Sequence, residues 1–234
     1  SAKGYRVLLV ARRRERLEKL AAELQDAEVL VADLTRVSDL EKVEQCIASR
    51  SRLEFLVNNA GFGVPGAYHA GDAEAHDRLH RLHVLAVGRL THAALRGMVA
   101  RGRGSIINVS SAAGFLQAPF SVSYNATKAW MNSFTEGLHM ELEALRSPVR
   151  IQALCPGFTV TEFHDAIGMD RGRIPAGLWL SAEEVVDASL RGLQRNRLFV
   201  VPGRRYRWFL RILRILPQSL KRYLSIRFSR EHAK

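Results

Sequence analysis

Cysteine is scarce. Cys46 and Cys155 are the only two, far apart and without metal-type spacing. That excludes a disulfide scaffold and fits a reducing compartment such as the cytoplasm. No apolar run approaches the roughly 20 residues that a membrane-spanning helix requires, and no signal-peptide pattern is visible. Acidic residues are nearly missing from one end. Gly203 to Lys234 holds ten Lys/Arg and one acid, a net +9, whereas the preceding 202 residues hold twenty-five and twenty-two, a net +3. The overall +12 therefore belongs mostly to the tail. Such a tail suits nucleic acid, an anionic membrane or an acidic partner. The body carries no basic motif, so nucleic acid is set aside. With 47% hydrophobic and 25% charged residues, the chain has ample apolar surface to bury, which excludes disorder as its main state. No repeat, low-complexity segment or linker precedes Gly203.

The apolar residues come in short β-branched runs separated by helical periodicities. Tyr5–Val10, Glu28–Ala32, Leu53–Val57, Ser105–Val109, Val149–Leu154 and Leu198–Val201 read as strands. Between them, Arg12–Gln25, Val37–Ile47, Ala73–Ala100 and Tyr124–Leu145 read as helices, and Ser181 with Glu183 and Glu184 opens another. Strict alternation with apolar strands implies an α/β fold, a doubly wound and mostly parallel sheet flanked by helices. One domain over 1–202 and a basic amphipathic helical tail over 203–234 is the simplest organisation.

One constellation carries chemistry. Tyr124 and Lys128, four apart on a helix, point from one face. A phenol titrates near 10, and a neighbouring ammonium favours its phenolate. Ser111, at a strand end, can hydrogen-bond a carbonyl oxygen and orient it. Together they can move one proton to or from a carbonyl or alcohol oxygen. Their order with Asn58-Asn59-Ala60-Gly61, Asn108-Val109-Ser110-Ser111 and Cys155-Pro156-Gly157 resembles the short-chain dehydrogenase/reductase family over about residues 1–202.

That resemblance implies a Rossmann-like fold and hydride transfer with a nicotinamide cofactor. It makes Tyr124 the acid/base. It gives Lys128 the lowering of the tyrosine pKa and the nicotinamide ribose, and it gives Ser111, rather than Ser110, the substrate carbonyl. Asn59, Ala60 and Gly61 match the adenosine side of the cofactor site, and Asp33 and Leu34 the adenine contact. Pro156, Gly157, Thr159 and Thr161 match the nicotinamide-side loop. Asn58 and Asn108 are expected to brace the sheet. His83 stands where the family often has a relay asparagine and is expected to keep a relay with altered pH behaviour. His76, His80 and His83 have i, i+4, i+7 spacing, but no Cys or acid completes a ligand set, so no metal is expected.

A second departure is larger. The family's first strand and its Thr-Gly-x-x-x-Gly-x-Gly turn, which cradles the pyrophosphate, have no counterpart. Ser1-Ala2-Lys3-Gly4 looks like the end of the helix that would follow them. Without them two half-sheets would expose open ladder edges in the core, so an N-terminal segment of roughly 25 residues is expected upstream in the natural protein. Arg12, where an acid would hold the ribose of NAD, suits the 2′-phosphate of NADP, with Arg13 as a second contact and NAD as second choice. A solvated basic helix start is the alternative.

Phe115, Leu116, Phe120, Phe158, Phe163, Ile167, Met169, Ile174, Leu178 and Trp179 fall in loops that border the family's substrate. They suggest a hydrophobic ketone, aldehyde or alcohol of lipid, steroid or retinoid class. In the tail, Arg207, Arg211 and Arg214 share one helical face, and Phe209, Ile212, Leu213 and Leu216 the other. Such a helix lies on a membrane surface, or packs on the body or a second subunit. The resemblance also implies a homodimer or homotetramer, built on Leu90, Ala94, Leu95, Trp130, Phe134 and Leu138. The rival reading is a catalytically silent relative that binds a nucleotide, a membrane or a partner.

Overall fold

In the computed structural model, residues 4–166 and 168–232 are described. Ile167, expected in the substrate wall, lies outside them, as do Ser1, Ala2 and Lys3. The strands are β1 (Val7–Ala11), β2 (Ala27–Val31), β3 (Phe55–Asn58), β4 (Ser105–Val109), β5 (Arg150–Leu154) and β6 (Phe199–Val200). The helices are α1 (Arg14–Ala22), α2 (Val37–Ala48), α3 (Ala73–His80), α4 (Val87–Arg101), α5 (Val122–Ala144), α6 (Glu162–Ala166), α7 (Ala182–Gln194), α8 (Arg204–Ile215) and α9 (Gln218–His232). Every strand pairing among the described residues is parallel, as uninterrupted apolar strands joined by helices require.

Among the described residues the sheet is split in two: β1 pairs only with β2, and β3-β4-β5-β6 form a separate four-stranded sheet. β1 and β3 thus each present a ladder edge in the middle of the fold, and Val57 on β3 is 52% exposed. Helices hold the halves together. One core takes Leu40, Val43 and Ile47 from α2, Leu90, Ala94 and Met98 from α4, and Ile106 and Ile151 from the larger sheet. Val10 and Leu30 of the smaller sheet pack against it. A Tyr5–Phe55 edge-to-face contact, ring centroids 5.2 Å apart, adds a direct tie.

The helix expected over 73–100 is continuous but not uniform, because residues Arg81–Ala86 form a π-helical turn between α3 and α4. Such a turn inserts a residue and rotates everything beyond it. His76, on α3, packs on Tyr68, His80 is exposed, and His83, within the turn, is buried. Among the described residues no three His, Cys, Asp or Glu side chains gather to hold a metal. The dimer face expected on these helices is also corrected. Leu90 and Ala94 are buried in the core, and Leu95 and Leu138 pack against it. What remains near the surface is Trp130 stacked on Phe134, beside Leu85, which is 57% exposed.

Helix ends follow their local chemistry. Ser181 and Glu184 form a reciprocal capping box, with Ser181 Oγ accepting from the Glu184 N–H at 3.1 Å and the Glu184 carboxylate from the Ser181 N–H at 2.9 Å. Gly102, at φ 63°, closes α4 in the left-handed conformation that glycine adopts without strain.

Candidate active site

β4 delivers Ser111 just beyond its C-terminal end, and α5 delivers Tyr124 and Lys128 from one face. Ser111 caps the turn 112–115, its Oγ accepting from the Ala113 N–H at 3.1 Å. It also favours the ionised form of the Tyr124 hydroxyl. Ser110 is buried and donates to the Lys128 carbonyl at 3.1 Å, so it serves the helix. Lys128 is 5% exposed. Its ammonium donates to the Val109 carbonyl at 2.8 Å and lies 5.7 Å from the Tyr124 ring centroid.

Burial dominates both titrations. It pushes the Tyr124 hydroxyl above its usual range, opposed by the Ser111 hydrogen bond. It pulls the Lys128 ammonium down to about 8. Ser111 opposes the Tyr124 shift, and the Lys128 ammonium lies beside the tyrosine ring, held by the Val109 carbonyl.

His83 is wholly buried, and both ring nitrogens are occupied. Nε2 accepts from the Phe62 N–H at 3.3 Å, which leaves Nδ1 as the donor to Thr127 Oγ1 at 2.9 Å. Thr127 in turn donates to the Tyr124 carbonyl. Burial first, then the charge of Lys128, lowers the His83 pKa to about 2, so the ring is neutral throughout the physiological range. It joins the loop after β3 to the Tyr124 helix. A Cβ on Gly61 would lie 2.8 Å from His83 Nε2, so that loop needs glycine there. Asn58 and Asn108 form a buried chain, Asn58 donating to Thr91 and Asn108, and Asn108 to Thr135, at 2.8–3.0 Å. They brace the sheet.

Ser111, Tyr124 and Lys128 line one cavity of about 1910 Å³ with Asn59, Gly61, Pro156, Gly157, Thr159 and Thr161. Its walls take Phe115, Leu116, Phe120, Phe158, Phe163, Met169, Ile174 and Leu178. Trp179 stands behind Phe158 and His164. Residues of the tail close the cavity: Tyr206, Phe209, Ile212 and Leu213 from α8, and Leu224 and Phe228 from α9. The apolar face expected of the tail helix thus turns inward.

The remaining predicted cofactor residues sit apart from this cavity. β1 and β2 run parallel with Ala11 opposite Val31, so Arg12 and Asp33 share the C-terminal edge of the smaller sheet. Arg12 is exposed and has no hydrogen-bond or ion-pair partner among the described residues. Arg13 is committed, bonding Glu162 at 3.2 Å alongside Arg16. The Asp33 carboxylate accepts from the Thr35 N–H and hydroxyl at 3.0 and 2.8 Å. Leu34 packs on the core, and Ala60 is exposed in the loop after β3.

Three site residues have no signature in the sequence. Tyr206 accepts from the Phe158 N–H at 3.0 Å and donates to the Leu178 carbonyl at 2.7 Å. Its ring lies so close to Gly157 that a Cβ there would sit 2.0 Å away. Asn125 donates to the Leu116 carbonyl at 3.1 Å and fixes the loop before α5. His164 is buried among Phe158, Phe163 and Trp179, with Nδ1 unpartnered among the described residues. Only the amphipathic pattern of the tail hints at Tyr206.

The sequence profile of the short chain dehydrogenase family matches residues 1–172. The chain belongs to this family. Solved relatives agree. A short-chain dehydrogenase from Sphingobium yanoikuyae in complex with NADPH is 34% identical, covers 92% of this chain and 88% of its own, and superposes with a TM-score of 0.81. The bulky-bulky ketone specific alcohol dehydrogenase from Comamonas testosteroni is 30% identical over 92% of this chain and 86% of its own, with a TM-score of 0.76. A very-long-chain 3-oxoacyl-CoA reductase from Anas platyrhynchos is 28% identical over 169 residues, 68% of this short-chain dehydrogenase and 54% of the avian protein. The chain thus spans about half the length of that relative.

Proposed function

We propose that the protein is an NADP-dependent oxidoreductase that interconverts a hydrophobic ketone or aldehyde with its alcohol. The observation that carries this is the convergence of Ser111, Tyr124 and Lys128 at one end of a large apolar cavity. The Pro156–Thr161 backbone at that end would hold the nicotinamide half of the cofactor, the Asn59–Gly61 loop its adenosine side, and the unpartnered Arg12 its 2′-phosphate. When bound, the cofactor supplies the hydride. The chain does the rest: the Ser111 hydroxyl donates to the substrate carbonyl oxygen, and the Tyr124 O–H delivers the proton to it. The buried Lys128 ammonium stabilises negative charge on the tyrosine oxygen as that proton leaves. His83 holds the Tyr124 helix against the loop after β3. Apolar walls keep water from the reacting carbonyl. The ketone and acyl-CoA named for two relatives accord with this class of substrate.

The test is reduction of bulky apolar ketones with NADPH and NADH. Arg12→Ala should raise KM for NADPH roughly ten- to hundredfold, the worth of a charge-assisted hydrogen bond, with NADH unaffected. Equal losses for both cofactors would remove the NADP assignment, and no reduction with either would remove the reaction.

We propose two surface contacts beside this activity. Residues 1–202 form the catalytic body, and 203–234 its roof and peripheral membrane face. Trp208 and Ile215 of α8 are 66% and 81% exposed beside Arg204, Arg207, Arg211 and Arg214. Each basic residue near an anionic leaflet contributes about 1 kcal/mol, and apolar side chains entering the interface add to it. The protein should float with anionic liposomes at low salt and not with neutral ones, and Trp208→Glu with Ile215→Glu should abolish this. Indifference to anionic vesicles would leave the tail a packing element alone. The second contact is a homodimer through Leu85, Trp130 and Phe134. A monomer at micromolar concentration in sedimentation would eliminate it.

A further inference from the structure

The cavity is apolar at its walls, yet its charged lining is all of one sign. Among the described residues that line it there is no Asp or Glu, while Lys128, Arg205, Lys221, Arg222 and Arg227 all face it. Lys128 belongs to the reacting end. Arg205 is engaged, donating to the Gly177 carbonyl at 2.7 Å. Lys221 and Arg222 on the first turns of α9 have neither an ion pair nor a side-chain hydrogen bond among the described residues. Several arginines elsewhere pair with carboxylates: Arg6 with Asp26, Arg50 with Glu28, Arg89 with Glu44, Arg103 with Glu54 and Arg171 with Asp165. α9 is fixed over the cavity by Ser225, whose hydroxyl donates to the Gln117 carbonyl at 2.6 Å.

We propose that Lys221 and Arg222 read an anionic end group, carboxylate or phosphate, at the far end of an elongated apolar substrate. This rests on the cavity being the substrate site. A concave apolar site rimmed by a single sign of charge concentrates potential at its mouth and attracts the opposite charge. A neutral hydrocarbon would leave both cations at the mouth without a counter-charge. An amphiphile satisfies the whole site: its carbonyl at Ser111 and Tyr124, its apolar body along Phe209, Ile212 and Leu213, and its anion at the α9 rim.

Laurate, dodecyl phosphate and neutral methyl laurate, each below its micelle concentration, provide a binding test by calorimetry on the full chain. At least one anion should bind tenfold or more tightly than methyl laurate, and the advantage should shrink with salt. Lys221→Gln with Arg222→Gln should bring the anions within about twofold of the ester while leaving ester binding unchanged. Lys221→Arg with Arg222→Lys should keep the preference. Laurate ahead of dodecyl phosphate identifies a carboxylate reader, and the reverse a phosphate reader. Equal binding of ester and anions, or a preference untouched by the glutamine pair, overturns the proposal. So does a glutamine pair that abolishes flotation with anionic vesicles yet keeps the laurate preference, because the two cations would then serve a membrane. Turnover separates the two readings. If 12-oxododecanoate and its methyl ester are both left unreduced while the anion preference holds, the reductase reading fails and the rim stands. If both are reduced equally well, the rim fails and the reductase stands.

Discussion

Tyr124→Phe should lower turnover with NADPH and a bulky ketone by about a thousandfold, within the 10²–10⁴ that a positioned acid or base contributes, while NADPH affinity stays within about twofold. The substitution removes one oxygen and keeps the ring. That ring packs on Phe163 and His83, with centroids 5.8 and 5.9 Å away, so the scaffold around it is preserved. Lys128 keeps its bond to the Val109 carbonyl, and Ser111 keeps its bond from the Ala113 N–H. What is lost is the hydroxyl that the proposed reaction uses to pass a proton beside Ser111. Steady-state kinetics and cofactor titration together check this. Turnover within threefold of the parent would mean that another group moves the proton and that the site assignment is wrong.

Acid should weaken the protein through His83. Its ring is neutral in the fold with a pKa of about 2, against about 6.5 in an unfolded chain. Between those values the unfolded state holds one proton more, so stability rises with pH. The contribution is complete above about 6.5 and is lost as pH falls towards 2, at about 1.4 kcal/mol per pH unit. His164, also lowered by burial, acts in the same direction. Denaturant midpoints measured from pH 7.5 to 4.5 should fall accordingly. His83→Asn should be less stable at pH 7.5, because it cannot span both Phe62 and Thr127, but its acid slope should be shallower. An unchanged slope in that variant would show that other groups carry the acid sensitivity.

Some of this architecture was written locally and some was not. The parallel strands could be read because each is a short apolar run whose partners are set by the alternation itself. Ser111, Tyr124 and Lys128 could be read because a strand end and one helical turn bring them together. The break between the half-sheets followed from the absent glycine-rich strand. The neighbourhood of His83 was not legible: the i, i+4, i+7 spacing assumes an ideal helix, and the π-helical turn at Arg81–Ala86 alters that phase. The sequence ranked Arg12 ahead of Arg13 but could not show what engages Arg13, since its partner is Glu162, 149 residues away. The roof was hidden for a similar reason. An amphipathic helix is the same pattern over a lipid surface as over a cavity, and the Tyr206 hydroxyl meets the Phe158 N–H across 48 residues.

The break between β1 and β3 has a consequence for residues 1–234 studied by themselves. In most parallel-sheet enzymes the middle of the sheet is the last place where amide protons exchange; in this 234-residue chain β1 and β3 should exchange early, ahead of β4 and β5. An unpaired edge also offers a template to any extended chain of suitable register, whether from the same protein or another. Concentrated samples of this chain alone should therefore associate by strand addition, with kinetics that depend on concentration and nucleate slowly. A short parallel β-peptide supplied in excess should compete with that association, occupy the groove and slow exchange on both flanking strands together.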